Sequence, residues 1–194
     1  GIYSGYPEVV GQTINLNFLV TCETLMKSSV FRKIHAMTDV TNGGLRGDIH
    51  EMAETAQSRI IIDDKNVSGL VEPHVRKMLE DLMIDYLGVS LDSLLIVAPP
   101  EAAPDICSIV RSVGVKIEQV GRVEAGKPEA VLLSHGTEQD FTPRFRESAY
   151  TPVKKVVDTG MRDFEEMKEG VMRASESASR KKERVLKKLR SGKK

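Results

Sequence analysis

Asp39, Thr41, Asn42, Gly43 and Gly44 stand close together in the stretch Ile-His-Ala-Met-Thr-Asp-Val-Thr-Asn-Gly-Gly-Leu that occupies positions 34–45. One carboxylate, two small polar side chains and two glycines at this spacing suit a turn that handles negative charge. Residues 34–37 read as a short buried strand running into Thr38-Asp39. Leu45, Ile49, Met52, Ala53 and Ala56 then fall on one face of a helix. A strand, a Gly-rich turn and a helix N-terminus leave backbone N–H groups aimed at an anion. The glycines let backbone approach a phosphate, and Thr41 or Asn42 can cap the helix. Asp39 repels a phosphate, so its chemical roles are magnesium ligand, base, or a group that orients the turn. The same residues also suit a plain strand-to-helix connection whose Asp and Asn only cap it, and spacing alone leaves both readings open.

The elements that must position this turn alternate along the chain. Residues 1–15 read as an irregular lead-in with room for one strand, and 16–34 as a helix. After the 45–56 helix come a buried strand at 59–63, a loop or short extended piece at 67–71, and a helix at 72–87 with Pro73 in its first turn. A strand at 94–98 is stopped by Pro99-Pro100, and a helix at 102–113 ends at Gly114. Strands at 116–123 and 130–134 follow, then a polar loop at 136–150. Alternation of this kind predicts an α/β domain, a mixed sheet flanked by helices, with 59–63 and 94–98 in one sheet. From residue 152, apolar residues step by three and four among Lys, Glu and Arg. The segment predicts a long amphipathic C-terminal helix over 152–178, fraying beyond Ala178 into a mobile end, with a coiled-coil seam as the sharper alternative. The domain reading is therefore 1–15 lead-in, 16–150 main domain and 151–194 helical, basic tail.

Composition narrows the function classes. The 194 residues are 40% hydrophobic, enough for a core, and the formal net charge of zero hides an asymmetry. Positions 180–194 hold nine Lys or Arg against one Glu, so the rest of the chain carries a net charge of −8. A basic end on an acidic body hints weakly at an anionic partner, and a nucleic-acid binder is not the reading. Cys22 and Cys107 lie 85 positions apart without metal-like spacing, which suits buried thiols in a reducing compartment. No apolar run reaches the roughly 18–20 residues of a membrane span, and no signal peptide opens the chain, so a cytoplasmic location is expected. The chain begins at Gly1 rather than Met, from which an upstream portion is expected.

The element His35-Ala36-Met37-Thr38-Asp39-Val40-Thr41-Asn42-Gly43-Gly44-Leu45 resembles the His-Ala-x-x-Asp-x-Thr-x-Gly-Gly-Leu element of the C-terminal domain of the aminoimidazole ribonucleotide synthetase superfamily. That superfamily includes selenophosphate synthetase, thiamine-monophosphate kinase and the hydrogenase-maturation carbamoyl dehydratase. Glu51-Met52-Ala53, the 60–63 strand, the Pro73 helix, 94–100 and Gln119-Val120-Gly121-Arg122-Val123 follow in the matching order, so the resemblance covers roughly 34–134. It implies an ATP-dependent family that activates a substrate oxygen by phosphoryl transfer. ATP and magnesium would sit largely on an N-terminal half that also makes the dimer, and none is expected to bind tightly to this chain alone. Carried over by position, Thr41, Asn42, Gly43 and Gly44 face phosphate or substrate and Asp39 is the catalytic or magnesium-holding residue. His35 is a further candidate, or else a core or dimer-edge histidine; His50, His74 and His135 match no motif.

The departures matter as much. The chain shows no Asp-rich, Lys-containing N-terminal half. Its Ser-Gly-Lys-Lys end lacks the terminal Cys of the carbamoyl dehydratase branch, and no Cys precedes a Gly-rich N-terminal loop as in selenophosphate synthetase. The acceptor substrate stays open. Two functions are expected from this reading. One is the C-terminal half of an ATP-dependent synthetase-like enzyme, inactive without a nucleotide-binding half upstream or on another chain, with a small-molecule substrate and a homodimer left open. The other is a non-catalytic domain that binds an anion or a partner and docks through its helical tail.

Overall fold

The computed structural model describes residues 5–12, 16–41, 43–90, 92–143 and 163–191. The chain divides into two compact units. One comprises Leu16–Glu72 and Asp85–Ala149; the other comprises Gly1–Asn15, Pro73–Ile84 and Tyr150–Lys194.

The first unit is built from two small sheets and the helices that cover them. In chain order it holds α2 (Asn17–Met26), a 3-10 turn Ser29–Lys33, β1 (Ala36–Val40), α3 (Gly44–Ala56), β2 (Arg59–Asp63) and α4 (Asp64–Leu70). A second 3-10 turn Tyr86–Gly88, β3 (Ser93–Val97), α6 (Ala103–Ser112), β4 (Gly121–Glu124), β5 (Glu129–Ser134) and β6 (Thr137–Asp140) complete it. β1 and β3 pair antiparallel, with Ala36 opposite Val97 and Asp39 opposite Leu94. The other sheet runs β4-β2-β5-β6 and is mixed: β2 is parallel to β5, and the outer pairs are antiparallel.

The mixed sheet flanked by helices and the long C-terminal helix are as the sequence predicts. The placement of 59–63 and 94–98 in one sheet is not: β2 and β3 lie in separate sheets. The reason lies in β2 itself. Ile60, Ile61 and Ile62 are all buried, and both edges of the strand are taken, by β4 and by β5. No edge is left for β3, which pairs with β1 instead.

Side chains alternate between the faces of a strand, and the β1–β3 ribbon uses this to join two cores. Val40 and Leu95 belong to a cluster with Ile49, Ala53, Ile60, Ile62, Leu132 and Phe141. Met37 and Ile96 pack against Leu25, Val30, Ala102, Ile106 and Val110, the cluster of α2 and α6. Cys22 and Cys107 sit on those two helices as free, half-buried thiols. At one end of the four-stranded sheet, Arg59 binds a carboxylate from each of the other three strands: Glu129 at 2.6 Å, Glu138 at 2.6 Å and Glu124 at 3.4 Å.

Several local expectations change. Residues 67–71 are not extended: α4 covers them to Leu70, started by the Asp63 carboxylate, which accepts from the Asn66 N–H at 3.3 Å. The 136–150 loop contains β6, joined to β5 by a two-residue turn in which His135 and Gly136 both take positive φ, 51° and 77°. The 72–87 helix stops at Asp81, and of the 116–123 segment only 121–123 is strand, as the start of Gly121–Glu124.

The second unit holds α1 (Pro7–Val10), α5 (Pro73–Asp81) and α7 (Phe164–Ser191). The lead-in thus forms a short helix rather than a strand. The Tyr6 hydroxyl and the Lys77 ammonium both donate to the Asp81 carboxylate at 2.6 Å. That holds the Asp81 carboxyl below its usual range, with Lys77 the larger cause. The long helix continues to Ser191, well past Ala178 where fraying is expected. Intrahelical pairs such as Glu176–Arg180 and basic residues in the last turn, where the helix dipole favours them, account for the extension. The 152–162 part of the expected helix lies outside the described residues.

Candidate functional site

The site begins where β1 delivers Asp39 and Thr41 to the start of α3. The backbone N–H of His35 donates to the Val97 carbonyl at 2.8 Å, which carries the β1–β3 pairing one residue upstream while its ring stays exposed. Asp39 is exposed near the end of β1, and the Ser90 hydroxyl holds the Val40 carbonyl at 3.1 Å. The Gly44 N–H then donates to the Thr41 carbonyl at 2.9 Å and closes the 41–44 turn. Asn42 lies outside the described residues. Gly43, at φ 100°, occupies the N-cap position, so the side-chain cap expected from Thr41 or Asn42 is replaced by a glycine without one.

The two glycines differ in what they serve. A Cβ on Gly44 would lie 2.4 Å from the Leu87 carbonyl oxygen and 2.5 Å from the Val89 nitrogen. With φ at 63° and its N–H already given to Thr41, Gly44 serves the chain's own packing. A Cβ on Gly43 would meet only the Gly47 Cα, at 3.6 Å. Gly43 is therefore the position where a group from outside can come up to backbone.

The 3-10 turn that presses on Gly44 is itself fixed by Asp85. One Asp85 oxygen accepts from the Leu87 N–H at 3.0 Å, and the other accepts from Arg46 Nε at 2.6 Å. Arg46, in the first turn of α3, also lies 4.7 Å over the Phe141 ring and is 11% exposed. A cation at a helix N-terminus opposes the dipole, and the carboxylate and ring offset that.

Asp48 is the residue that sequence reasoning missed. It lies one turn into α3, and its carboxylate reaches back to accept from the Thr41 backbone N–H. Its Oδ2 is buried and finds no hydrogen-bond partner among the described residues. Burial pushes its carboxyl above the usual range, and the charges of Glu51 and Asp39 push the same way. The signal was present in the sequence: Asp48 is three residues from Leu45 and four from Met52, an acid beside the apolar face of a helix. Asp39, Asp48 and Glu51 thus make the surroundings of the turn acidic. Among the described residues no group of three or more His, Cys, Asp or Glu is placed to hold a metal ion. The donor set fits a magnesium ion only in part, with exposed Asp39 supplying one ligand.

Residues 18–134 match the family described as AIR synthase related protein, C-terminal domain. The chain belongs to that family. A curated relative, an uncharacterized protein of Methanocaldococcus jannaschii, is 46% identical over 194 residues, all of this chain and 42% of that protein. The Escherichia coli hydrogenase maturation protein HypE aligns over 62% of this chain and 37% of its own, with a TM-score of 0.55 and 25% identity. HypE in complex with ATP gives a TM-score of 0.58 at 23% identity over 65% of this chain and 40% of its own, a likeness of fold. The chain spans about two fifths of the length of these relatives. The family match takes in β1, the 41–44 turn and α3, and ends before α7.

Proposed function

We propose that this chain is the C-terminal part of an ATP-dependent synthetase-like enzyme that activates a substrate oxygen by phosphoryl transfer. Residues 16–150 form the synthetase-related part and 151–194 an appended helical arm. The observation that carries the reading is the 41–44 turn: left-handed Gly43 stands open at the N-terminus of a thirteen-residue helix, beside exposed Asp39. A helix N-terminus and an unhindered backbone favour a phosphate. They stabilise charge that shifts during transfer, which is where electrostatic catalysis gains most. Thr41, Asn42 and Gly43 would touch the phosphate or substrate, with Gly44 holding the turn's shape and His35 at its edge. Asp39 would hold a magnesium ion jointly with groups supplied by the nucleotide or by a nucleotide-binding half, because the described residues group too few carboxylates for a cage of their own. The ATP complex of HypE, a relative in fold, supports the nucleotide as the phosphoryl donor.

The test is activity in the assembled enzyme, with the nucleotide-binding half present. Asp39→Asn keeps shape and removes charge, so ATP turnover should fall by two or more orders of magnitude while the fold is unchanged. Wild-type turnover in Asp39→Asn would sink the catalytic assignment. A non-catalytic domain that binds a partner through its helical tail is the second reading, and the exposed apolar side chains of α7 favour it.

A further inference from the structure

The helix α7 carries an apolar face that the described residues of its own unit leave uncovered. Met167, Gly170, Ala174, Ala178, Lys181 and Val185 are its half-buried positions and follow one side of the helix. α1 packs against α7, and Lys181 Nζ donates to the Gly11 carbonyl at 2.8 Å. Phe164, Val171, Met172, Leu186 and Leu189 lie on the adjoining side, within an arc of roughly 100° at 3.6 residues per turn. They are between 37% and 67% exposed. Single exposed apolar side chains are ordinary; five on one helix face mark an interaction surface.

Two patterns on this helix say what covers the face. The apolar side chains form two clusters, at 164–172 and 186–189, with Ser175 and Ser179 between them on the same side. Charge divides in the same place. On or beside this face the N-terminal half carries Glu165 and Glu176 against Lys168, and the C-terminal half carries Lys182 and Arg190 against Glu183. A parallel copy would set acid on acid and base on base. An antiparallel copy sets the acidic half on the basic half and brings Val171 and Met172 onto Leu186 and Leu189. A nucleic acid or an anionic membrane matches only the basic half and leaves the 164–172 cluster unexplained.

We propose that α7 is a self-association surface: it pairs antiparallel with α7 of a second copy of this chain, about a two-fold axis near Ser179. The small serines let the helices approach closely at the axis. This inference is independent of the chemistry proposed for the 41–44 turn.

The experiment uses the full chain with Cys22→Ser and Cys107→Ser. Sedimentation equilibrium should show a dimer that weakens as salt rises. Under mild oxidation Ser179→Cys should cross-link to itself, whereas Val171→Cys should link to Leu186→Cys in a mixture and not to itself. Charge reversal gives the decisive arm. Glu165→Lys/Glu176→Lys makes the borders of this face basic along its whole length, and Lys182→Glu/Arg190→Glu makes its C-terminal half acidic. Each should self-associate at least about tenfold more weakly than the parent, and a mixture of the two should regain the dimer. Circular dichroism checks that α7 stays helical. A monomer at every concentration, self-linking at Val171→Cys, or reversed variants that dimerise as the parent does would each overturn the proposal.

Discussion

Gly44 and Asp48 have opposite relations to stability. At Gly44 the backbone of the Tyr86–Gly88 turn fills the space of a side chain, and φ is positive. A left-handed conformation alone costs a non-glycine residue about 1–2 kcal/mol, and the contact with backbone adds to it. Gly44→Ala should therefore lose at least about 2 kcal/mol in urea unfolding, and an unchanged midpoint would mean that the close approach is absent. Asp48 costs stability because its carboxylate is poorly solvated and close to like charges. Its pKa is higher folded than unfolded, so the folded state binds more protons in the interval between the two values. Its contribution is most favourable below the unfolded carboxylate value and declines as pH rises through the folded one. Asp48→Asn should be more stable than wild type at neutral pH, because the amide carries no charge to be desolvated or to meet Glu51 and Asp39. That gain should shrink as the pH is lowered into the carboxylate range. A gain that persists there would assign the effect to something other than charge.

Among the elements, β2 organises the sheet, and Arg59 fastens it. Removing the guanidinium by Arg59→Met leaves Glu124, Glu129 and Glu138 facing one another at one sheet end, so the thermal midpoint should drop by a few degrees, and more at low salt than at high salt. No drop would mean that the three carboxylates are well solvated by themselves. The sequence made β2, α3 and α6 legible because a run of buried isoleucines, a three-four apolar spacing, and a glycine after the last turn are local signals. It also located the 41–44 turn, where glycine types report backbone shape directly. Strand partners were not legible, because the occupied edges of β2 depend on strands some sixty to seventy residues away, with Ile61 opposite Arg122 and Val131. Strand β6 was hidden by its composition: all of Thr137–Asp140 is exposed, so no apolar alternation marks it. His135-Gly136 was its only local signal. Helix α4 is hidden in the sequence because its start is written in Asp63, which is also the last residue of β2. The distinction between Gly43 and Gly44 arises from segments brought together by folding and carries no sequence signature of that kind, whereas Asp48 is marked by its place beside the apolar face of α3.

At the scale of the molecule, the family match fixes the fold lineage of residues 18–134 and leaves the appended α7 outside it. The curated relative is more than twice as long as this chain, and the aligned part takes up only 37% of HypE, which fits the proposal that an activity of the assembled enzyme needs more than these residues. It also gives the isolated chain a use, since anion binding by the turn can be read without turnover. The most direct measurement is an NMR titration of the chain with inorganic phosphate and with a non-hydrolysable ATP analogue, in wild type, Gly43→Val and Asp39→Asn. The account predicts amide shifts concentrated at Gly43, Leu45 and Arg46 in wild type, loss of those shifts in Gly43→Val, and equal or tighter binding in Asp39→Asn, which removes a repelling charge. Shifts confined to residues far from 39–46, or equal affinity in Gly43→Val, would contradict it and leave the turn as a connector between β1 and α3.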